Sequence, residues 1–198
     1  VVAEMLGLHF IDVDEAIDAL IQCGVGGAVT FDIQPGVYTS GRIIPPILGA
    51  SATNTITFDG GDTSLVTITN SALANYRLEG ADWITFKKIT FEHTGTTNAY
   101  CIQFADSADH NTVDSCRLIV PQSTSSLFSP VCWSNVPTSP SSSGTNGNYN
   151  TISNNTIENG YYGIRMQGDI NNHQSGNSVI NNEFIDPYLY NIYVQYQE

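Results

Sequence analysis

Apolar residues recur along this chain at a nearly constant interval. Each recurrence lies in a short run in which apolar and polar positions alternate, as in a strand with one buried face. The successive intervals are 27, 28, 27, 39 and 27 residues. The six positions are Phe31, Phe58, Phe86, Val113, Ile152 and Val179. A repeat of this length predicts stacked coils that share one core, so we expect an all-β solenoid of about six coils.

A second apolar column accompanies the first from residue 76 onward. Its members are Leu78, Phe104, Trp133, Met166 and Val194. Each follows another apolar or aromatic residue by two positions, which is the period of a strand. Every coil is therefore predicted to contain a strand, a turn, a second strand, a tight turn and a short third strand. Trp133 is predicted to point into the core.

Residues 12–22 are predicted to form a capping helix. Asp12 and Glu15 have the spacing of a capping box. The apolar residues Val13, Ala16, Ile17, Leu20 and Ile21 fall on one face. Gly24 is a typical helix terminator. We expect the apolar face to cover the open end of the first coil.

The chain is predicted to be a single domain, 1–198, with coils over 28–134 and 149–196. Residues 135–148 account for the long interval, and their Ser, Pro, Gly and Asn content predicts a mobile, exposed loop. This inserted loop is either a rim over a groove or a tolerated insertion. The last strand, 192–196, belongs to the core column, so we expect further coils or domains of a longer protein, or another chain, to cover it.

Asn155 and Asn182 occupy the tight turn between the second and third strands. Together with Gly61 they are expected to adopt the left-handed backbone conformation that this turn requires. Their stacked side chains are also expected to form hydrogen bonds from coil to coil.

Several segments resemble a known superfamily. The segments DEAIDAL (14–20), G-x-V-x-F (27–31) and PGVYT (35–39) resemble the entry to pectin-lyase-like proteins, which are right-handed parallel β-helices with a helical cap. The segment GASATNTITFDGGD (49–62) resembles β-helical regions of large secreted surface proteins of Bacteroidetes-type gliding bacteria. The catalytic motifs of pectin methylesterases, polygalacturonases and pectate lyases are absent, so the resemblance implies a fold and leaves the chemistry open.

Composition narrows the expected partners. Six Lys and Arg stand against 19 Asp and Glu, for a net charge of −13. This balance disfavours nucleic acid and anionic membranes, and no apolar run approaches the ~20 residues that cross a bilayer. Of the four cysteines, Cys116 is expected to be a buried thiol, whereas a Cys101–Cys132 disulfide is possible but out of register.

The strongest candidate for chemistry is a pair of carboxylates. Asp82 and Asp109 each precede a core position by four residues, so they should stand one coil apart, about 4.8 Å. They are expected to bind Ca²⁺ with Asp106, to share a proton in acid–base catalysis, or simply to bond local backbone N–H groups. No other cofactor is expected.

The neighbouring positions carry aromatic rings. Trp83, His110 and Tyr149 form the next column and are candidates for stacking on sugar rings, with His110 also a candidate catalytic group. His110 and His173 have no third ligand in line for zinc. Tyr161 and Tyr162, with Tyr188 and Tyr190 in other wide loops, form a second candidate sugar platform or simply cover coil edges.

Arginines mark the outward face of the first strand of each coil. Arg77, Gln103, Cys132, Arg165 and Tyr193 should form one column. In the resembling lyases this face lines a groove, which makes Arg77 a candidate for substrate binding, and Arg165 with Asp169 candidates for catalysis. The alternative is that both arginines are exposed to solvent and have no specific function.

Two functions follow as expectations. The first is a non-catalytic β-helix module of a secreted or cell-surface protein with polysaccharide as its partner. The second is a polysaccharide lyase or glycoside hydrolase acting on a uronic-acid polymer. A fibre-type oligomeric β-helix is a third alternative.

Overall fold

The computed structural model describes residues 3–5 and 8–198, and the other residues at the start of the predicted 1–198 domain lie outside this part. The chain forms a right-handed parallel β-helix of six coils, as the repeat and the resemblance predicted. A short antiparallel pair, β1 (Ala3–Met5) and β2 (Leu8–Phe10), precedes it. Within the described part, no helix has the length and hydropathy needed to cross a bilayer.

The helix α1 (Val13–Cys23) caps the first coil. The Asp12 side chain accepts a hydrogen bond from the N–H of Glu15 at 2.8 Å, and Gly24, with φ of +67°, ends the helix. Its buried residues Val13, Ala16, Ile17 and Leu20 belong to the same core as the coils. Ile21 was predicted on this face but is 39% exposed.

Three six-stranded parallel sheets form the walls of the β-helix, and each coil contributes one strand to each sheet. The first sheet contains β3 (Val29–Asp32), β6 (Ile56–Asp59), β9 (Ile84–Lys87), β12 (Thr112–Asp114), β15 (Thr151–Ser153) and β18 (Ser178–Ile180). The second contains β4 (Gly36–Thr39), β7 (Val66–Asn70), β10 (Thr90–His93), β13 (Arg117–Ile119), β16 (Thr156–Glu158) and β19 (Glu183–Ile185). The third contains β5 (Arg42–Ile44), β8 (Ala74–Glu79), β11 (Tyr100–Ala105), β14 (Val131–Trp133), β17 (Tyr162–Gln167) and β20 (Tyr190–Gln195).

Both predicted apolar columns are confirmed by the strand register. Phe31 pairs with Phe58 and Phe58 with Phe86, and their rings stack at 5.0 and 5.4 Å between centroids. In the third sheet Phe104 pairs with Trp133, which is fully buried and stacks on the Phe104 ring at 4.5 Å. The alternation of apolar and polar residues therefore determined which side chains build the core.

Two ladders of asparagine side chains tie successive coils together. Asn155 Oδ1 accepts the N–H of Cys116 at 2.8 Å, and Asn182 Oδ1 accepts the N–H of Asn155 at 3.0 Å. A second ladder comprises Asn111, Asn150 and Asn177. In each, Oδ1 accepts a hydrogen bond from a backbone N–H of the coil below, and Nδ2 donates to a backbone carbonyl of that coil. The predicted coil-to-coil hydrogen bonds are thus confirmed.

The left-handed residue of the tight turn lies one position earlier than predicted for the asparagines. Asn154 and Asn181 have φ of +56° and +54°, whereas Asn155 and Asn182 are not among the positive-φ residues. Gly61, at +71°, was placed correctly. In each of these turns, the first asparagine adopts the left-handed backbone conformation, and the side chain of the second bonds to the neighbouring coil.

The 135–148 insertion packs against the outward face of the third sheet, and its prediction as an exposed loop is only partly right. Pro140, Asn146 and Gly147 are buried. Asn146 Nδ2 donates to the carbonyl of Gln167 at 2.6 Å, and Ser143 Oγ donates to the carbonyl of Gly168 at 3.0 Å. The insertion covers strands that would otherwise face solvent.

Candidate functional site

Asp82 and Asp109 stand in adjacent coils as predicted, and each carboxylate bonds to the coil above. Asp82 Oδ1 accepts the backbone N–H of Asp109 at 2.7 Å, and Asp109 Oδ1 accepts that of Asn148 at 2.6 Å. Asn148 Oδ1 continues the series by accepting the N–H of Ser175 at 2.9 Å. The acidic pair is thus part of a third side-chain ladder. Its oxygens accept N–H groups of the coil above, whereas those of the asparagine ladders accept from the coil below.

Burial raises the pKa of Asp82 above its ordinary value. Desolvation is the main cause, the hydrogen bond from Asp109 N–H opposes it, and the nearby Asp109 charge adds to it. A raised pKa is also a property of catalytic acids. Here its cause is partial burial within a turn, where the carboxylate accepts the N–H of Asp109.

Among the residues that the structure describes, no third acidic ligand for Ca²⁺ joins this pair. Asp106 is exposed, with φ of +50°. Within the described residues, no group of three His, Cys, Asp or Glu side chains is arranged to hold a metal ion. Ca²⁺ takes six to eight oxygen ligands, roughly, so Asp82 and Asp109 would need several ligands from water or substrate. Ca²⁺ binding here stays a prediction.

The rings of Trp83, His110 and Tyr149 form a continuous stack along the helix axis. The centroid distances are 4.1 Å from Trp83 to His110 and 4.8 Å from His110 to Tyr149, with interplanar angles of 3° and 5°. All three residues have positive φ, between +55° and +61°. A left-handed backbone costs a residue with a side chain about 1–2 kcal/mol, and the stacking offsets part of this cost.

Most ring faces in this aromatic stack are already in contact with one another. Both faces of His110 are covered, by Trp83 and by Tyr149. Gly176 lies so close to Tyr149 that an added Cβ would be 2.3 Å from its ring. A sugar ring stacks on an aromatic face, so the stack presents mainly ring edges to a ligand.

The outward column of the third sheet has the predicted register but not the predicted exposure. Arg77, Gln103, Cys132, Arg165 and Tyr193 are aligned from β8 to β20. Arg77 and Arg165 are only 2% and 6% exposed, so the expectation of solvated arginines is wrong. Arg77 donates to the carbonyls of Ser134 and Asn135, both at 3.1 Å, and forms an ion pair with Glu79. The inserted loop is held on this face by the buried arginine.

Arg165 and Asp169, predicted as catalytic partners, bond to different groups. Arg165 Nη2 donates to Gln167 Oε1 at 2.6 Å and Gln195 Oε1 at 2.8 Å. Asp169 accepts from Ser143 Oγ at 3.2 Å and from the N–H of Asn171 at 2.8 Å. No ion pair joins Arg165 to Asp169 in the described part of the chain.

Five tyrosines form a cluster on the last two coils, which we call the tyrosine cluster. Its members are Tyr161, Tyr162, Tyr188, Tyr190 and Tyr193. Tyr162 and Tyr190 begin β17 and β20 and stack at 6.3 Å, so they are not in the wide loops predicted for them. Tyr188 and Tyr190 are 53% and 48% exposed. This cluster presents open aromatic surface.

Sequence reasoning missed three members of this region. The sequence pattern places Tyr193 in the arginine column, but it predicts neither its contact with the other tyrosines nor the hydrogen bonds of Gln167 and Gln195 to Arg165. The register of β17 with β20 places Gln167 beside Gln195 and Arg165 beside Tyr193. Gln167 follows Arg165 by two residues, and Gln195 follows Tyr193 by two. This shared spacing is the sequence signal that predicts the contact between the two glutamines.

The described residues also contain a further pocket and four cysteines. A pocket of about 80 Å³ lies between Arg42, Leu73 and Arg77, but both arginines are already paired with carboxylates. All four cysteines are free, and Cys101 and Cys132 do not form a disulfide. Cys116 is buried, which raises its pKa to about 12.

The chain was compared with protein-family models, curated proteins and solved structures, and none of them matches it.

Proposed function

We propose that this chain is a non-catalytic β-helix module of a secreted or cell-surface protein, and that it contacts polysaccharide through the tyrosine cluster. The observation that carries the proposal is the half-exposed aromatic surface of Tyr188 and Tyr190. Aromatic rings contribute large apolar area to a contact at low entropic cost, and their faces fit the apolar faces of sugars. The resemblance to secreted β-helical proteins supports the location.

The hydrogen bonds of the two acidic residues support the proposal that the module is non-catalytic. Asp82 and Asp109 each accept a backbone N–H of the next coil. A general acid or base must reach a substrate atom at hydrogen-bond distance. These carboxylates instead serve the stacking of coils, which needs no substrate.

The net charge of −13 bears on the kind of polysaccharide. A densely anionic polymer would be repelled over most of the surface. The tyrosine cluster therefore suits a neutral or weakly charged polysaccharide. Binding through a few exposed rings predicts a weak contact that becomes useful when many modules or binding sites act together.

Affinity gel electrophoresis with a panel of neutral polysaccharides tests the proposal. We expect at least one polymer to retard the chain, and the double variant Tyr188→Ala/Tyr190→Ala to lose this retardation. Tyr149→Ala is the matched control, because Tyr149 is also 53% exposed but lies in the aromatic stack. Equal loss in both variants, or no retardation by any polymer, would refute the contact.

The absence of catalysis is tested separately. The chain is incubated with uronate polymers, with and without Ca²⁺, and the ultraviolet absorbance of unsaturated products is followed together with the release of reducing ends. We expect neither signal. A signal that disappears in Asp82→Asn or Asp109→Asn would instead establish the lyase or hydrolase alternative.

A further inference from the structure

Arg165 is a buried cation without an anionic partner among the described residues. Its residue is 6% exposed, and it forms no ion pair with any described carboxylate. Four of the other cationic side chains do have such partners: Arg42, Arg77, Lys87 and Arg117. Lys88, the remaining one, is exposed to water. An unpaired buried charge is costly, so Arg165 requires a specific explanation in a chain this acidic.

The hydrogen bonds of Arg165 are incomplete. Nη2 bonds to Gln167 and Gln195, but Nε and Nη1 are buried and have no acceptor among the described residues. Guanidinium groups carry five N–H donors, and buried donors in folded proteins are almost always satisfied. The missing acceptor is therefore a group that does not belong to the described chain.

The surroundings favour a small occupant. The guanidinium carbon lies 4.0 Å from the ring centroid of Tyr193 and 5.5 Å from that of Tyr162. These aromatic faces compensate part of the positive charge but accept no ordinary hydrogen bond. Cys132 occupies the same column one coil below. Both tyrosines are only partly buried, so the charge lies one side chain away from solvent.

We propose that Arg165 holds a small monovalent anion, a halide or a short carboxylate, on the outward face of the third sheet. The anion accepts hydrogen bonds from guanidinium nitrogens that have no protein acceptor. It neutralises the buried charge and ties β17 to Tyr193 of β20. This site is independent of polysaccharide binding, because its function is to complete the packing of the last two coils.

The anion should stabilise the fold by mass action, since a ligand that binds only the folded chain raises its melting temperature. We would measure Tm of the whole chain in sodium bromide and in sodium acetate, with sodium gluconate keeping the ionic strength constant. Gluconate is the bulkier reference anion, because Arg165 is only 6% exposed and a small ion reaches it more easily than a large one. We expect Tm to rise with the logarithm of the bromide or acetate concentration, and the stronger of the two responses identifies the preferred anion class.

Two variants make the test specific. Arg165→Met should abolish the rise in Tm, even if its baseline Tm is lower. Arg117→Met is the control, because Arg117 lies in the second sheet, away from Arg165, and is already paired with Glu158. Arg117→Met should keep the anion response of the original chain.

A crystal soaked in bromide gives an independent readout. We expect an anomalous peak in contact with the Arg165 guanidinium. The proposal is overturned if no bromide binds there and acetate density is also absent, or if Arg165→Met retains the full anion dependence of Tm.

Discussion

The carboxylate of Asp82 accepts a hydrogen bond from the backbone N–H of Asp109, one coil above, at 2.7 Å. Asn148 makes the equivalent bond to Ser175 at 2.9 Å with an amide oxygen. This position therefore needs an acceptor oxygen but no negative charge. The distinction separates a structural carboxylate from a catalytic one and can be measured.

Asp82→Asn is expected to be at least as stable as the original chain at neutral pH. Because burial raises the pKa of Asp82, the folded state holds its proton more tightly than the unfolded chain does. The contribution of this group to the free energy of unfolding is therefore largest at low pH. It falls as the pH rises from the ordinary value of 3.8 through the raised pKa. Urea unfolding between about pH 3 and pH 7 should show that Asp82→Asn removes this decrease.

The control for this prediction is Asp82→Ala, which removes the acceptor as well as the charge. We expect it to be less stable than Asp82→Asn by about 1 kcal/mol at neutral pH, because the N–H of Asp109 loses its partner. An alanine variant as stable as the asparagine variant would show that the ladder bond contributes nothing.

Asn155→Ala is expected to be strongly destabilising. Asn155 is 1% exposed, accepts the N–H of Cys116 and donates to the carbonyl of Val113 at 2.9 Å. Alanine leaves the Cys116 N–H without this acceptor and removes one donor from the Val113 carbonyl, which should cost about 2–4 kcal/mol of unfolding free energy. Chemical denaturation followed by circular dichroism measures this loss.

The neighbouring residue provides a matched comparison. Asn154 is exposed and has φ of +56°. Asn154→Gly should change stability little, because glycine adopts this backbone conformation without strain and the bond that it removes, from Asn154 Nδ2 to Asp114 Oδ1, is exposed. Asn154→Ala should cost only about 1 kcal/mol. If Asn154→Ala were the more damaging variant, the roles assigned to the two asparagines would have to be exchanged.

This pair of residues also shows where the sequence was ambiguous. The two turns contain the dipeptides Asn154-Asn155 and Asn181-Asn182. Asparagine suits both a left-handed backbone and a side-chain ladder, so composition cannot tell which residue does which. The core columns had no such ambiguity, because a shift by one residue would move every apolar side chain to the opposite face. The fold was therefore predictable where burial decided it, and the turns only approximately.

Trp133→Ala should destabilise the chain by about 3–5 kcal/mol, because it leaves a large cavity beside Phe104. Trp133→Phe should cost clearly less. It keeps an aromatic ring on Phe104 and removes an indole N–H for which the described residues provide no acceptor. Differential scanning calorimetry of both variants checks the order. Equal losses would mean that Nε1 has a partner, such as a buried water, that phenylalanine cannot replace.

Arg77→Met should release the 135–148 insertion from the third sheet. The variant loses the bonds from Arg77 to the carbonyls of Ser134 and Asn135. Hydrogen bonds to a charged group contribute about 1.5–3 kcal/mol each, so local opening should rise at least about tenfold. Limited proteolysis should show faster cleavage within the insertion while the coils remain intact.

Arg117→Met is the comparison for the proteolysis experiment. Arg117 also forms an ion pair, with Glu158, but in the second sheet. Its loss should leave cleavage of the insertion unchanged. Equal acceleration in both variants would indicate a general loss of stability rather than release of this loop.

The candidate site was less predictable than the fold. Register correctly aligned Asp82 with Asp109 and Arg77 with Arg165, because it follows from the repeat. The burial of Arg77 and Arg165 did not follow from the repeat. The 135–148 insertion packs on the face that carries these arginines, and its polar sequence does not indicate which surface it covers. Arg77 donates to the backbone carbonyls of Ser134 and Asn135. Because every residue has a backbone carbonyl, the sequence pattern cannot predict which ones bind the arginine.

The asparagine ladder crosses the long coil with unchanged dimensions. The bond from Asn111 N–H to Asn150 Oδ1 spans 39 residues of sequence, and that from Asn150 N–H to Asn177 Oδ1 spans 27, yet both measure 2.9 Å. The pitch of the solenoid is thus independent of the length of chain between β14 and β15. This turn is therefore a grafting point: a peptide of another length should leave the spacing of the coils unchanged, provided that it keeps backbone carbonyls for the buried Arg77 guanidinium.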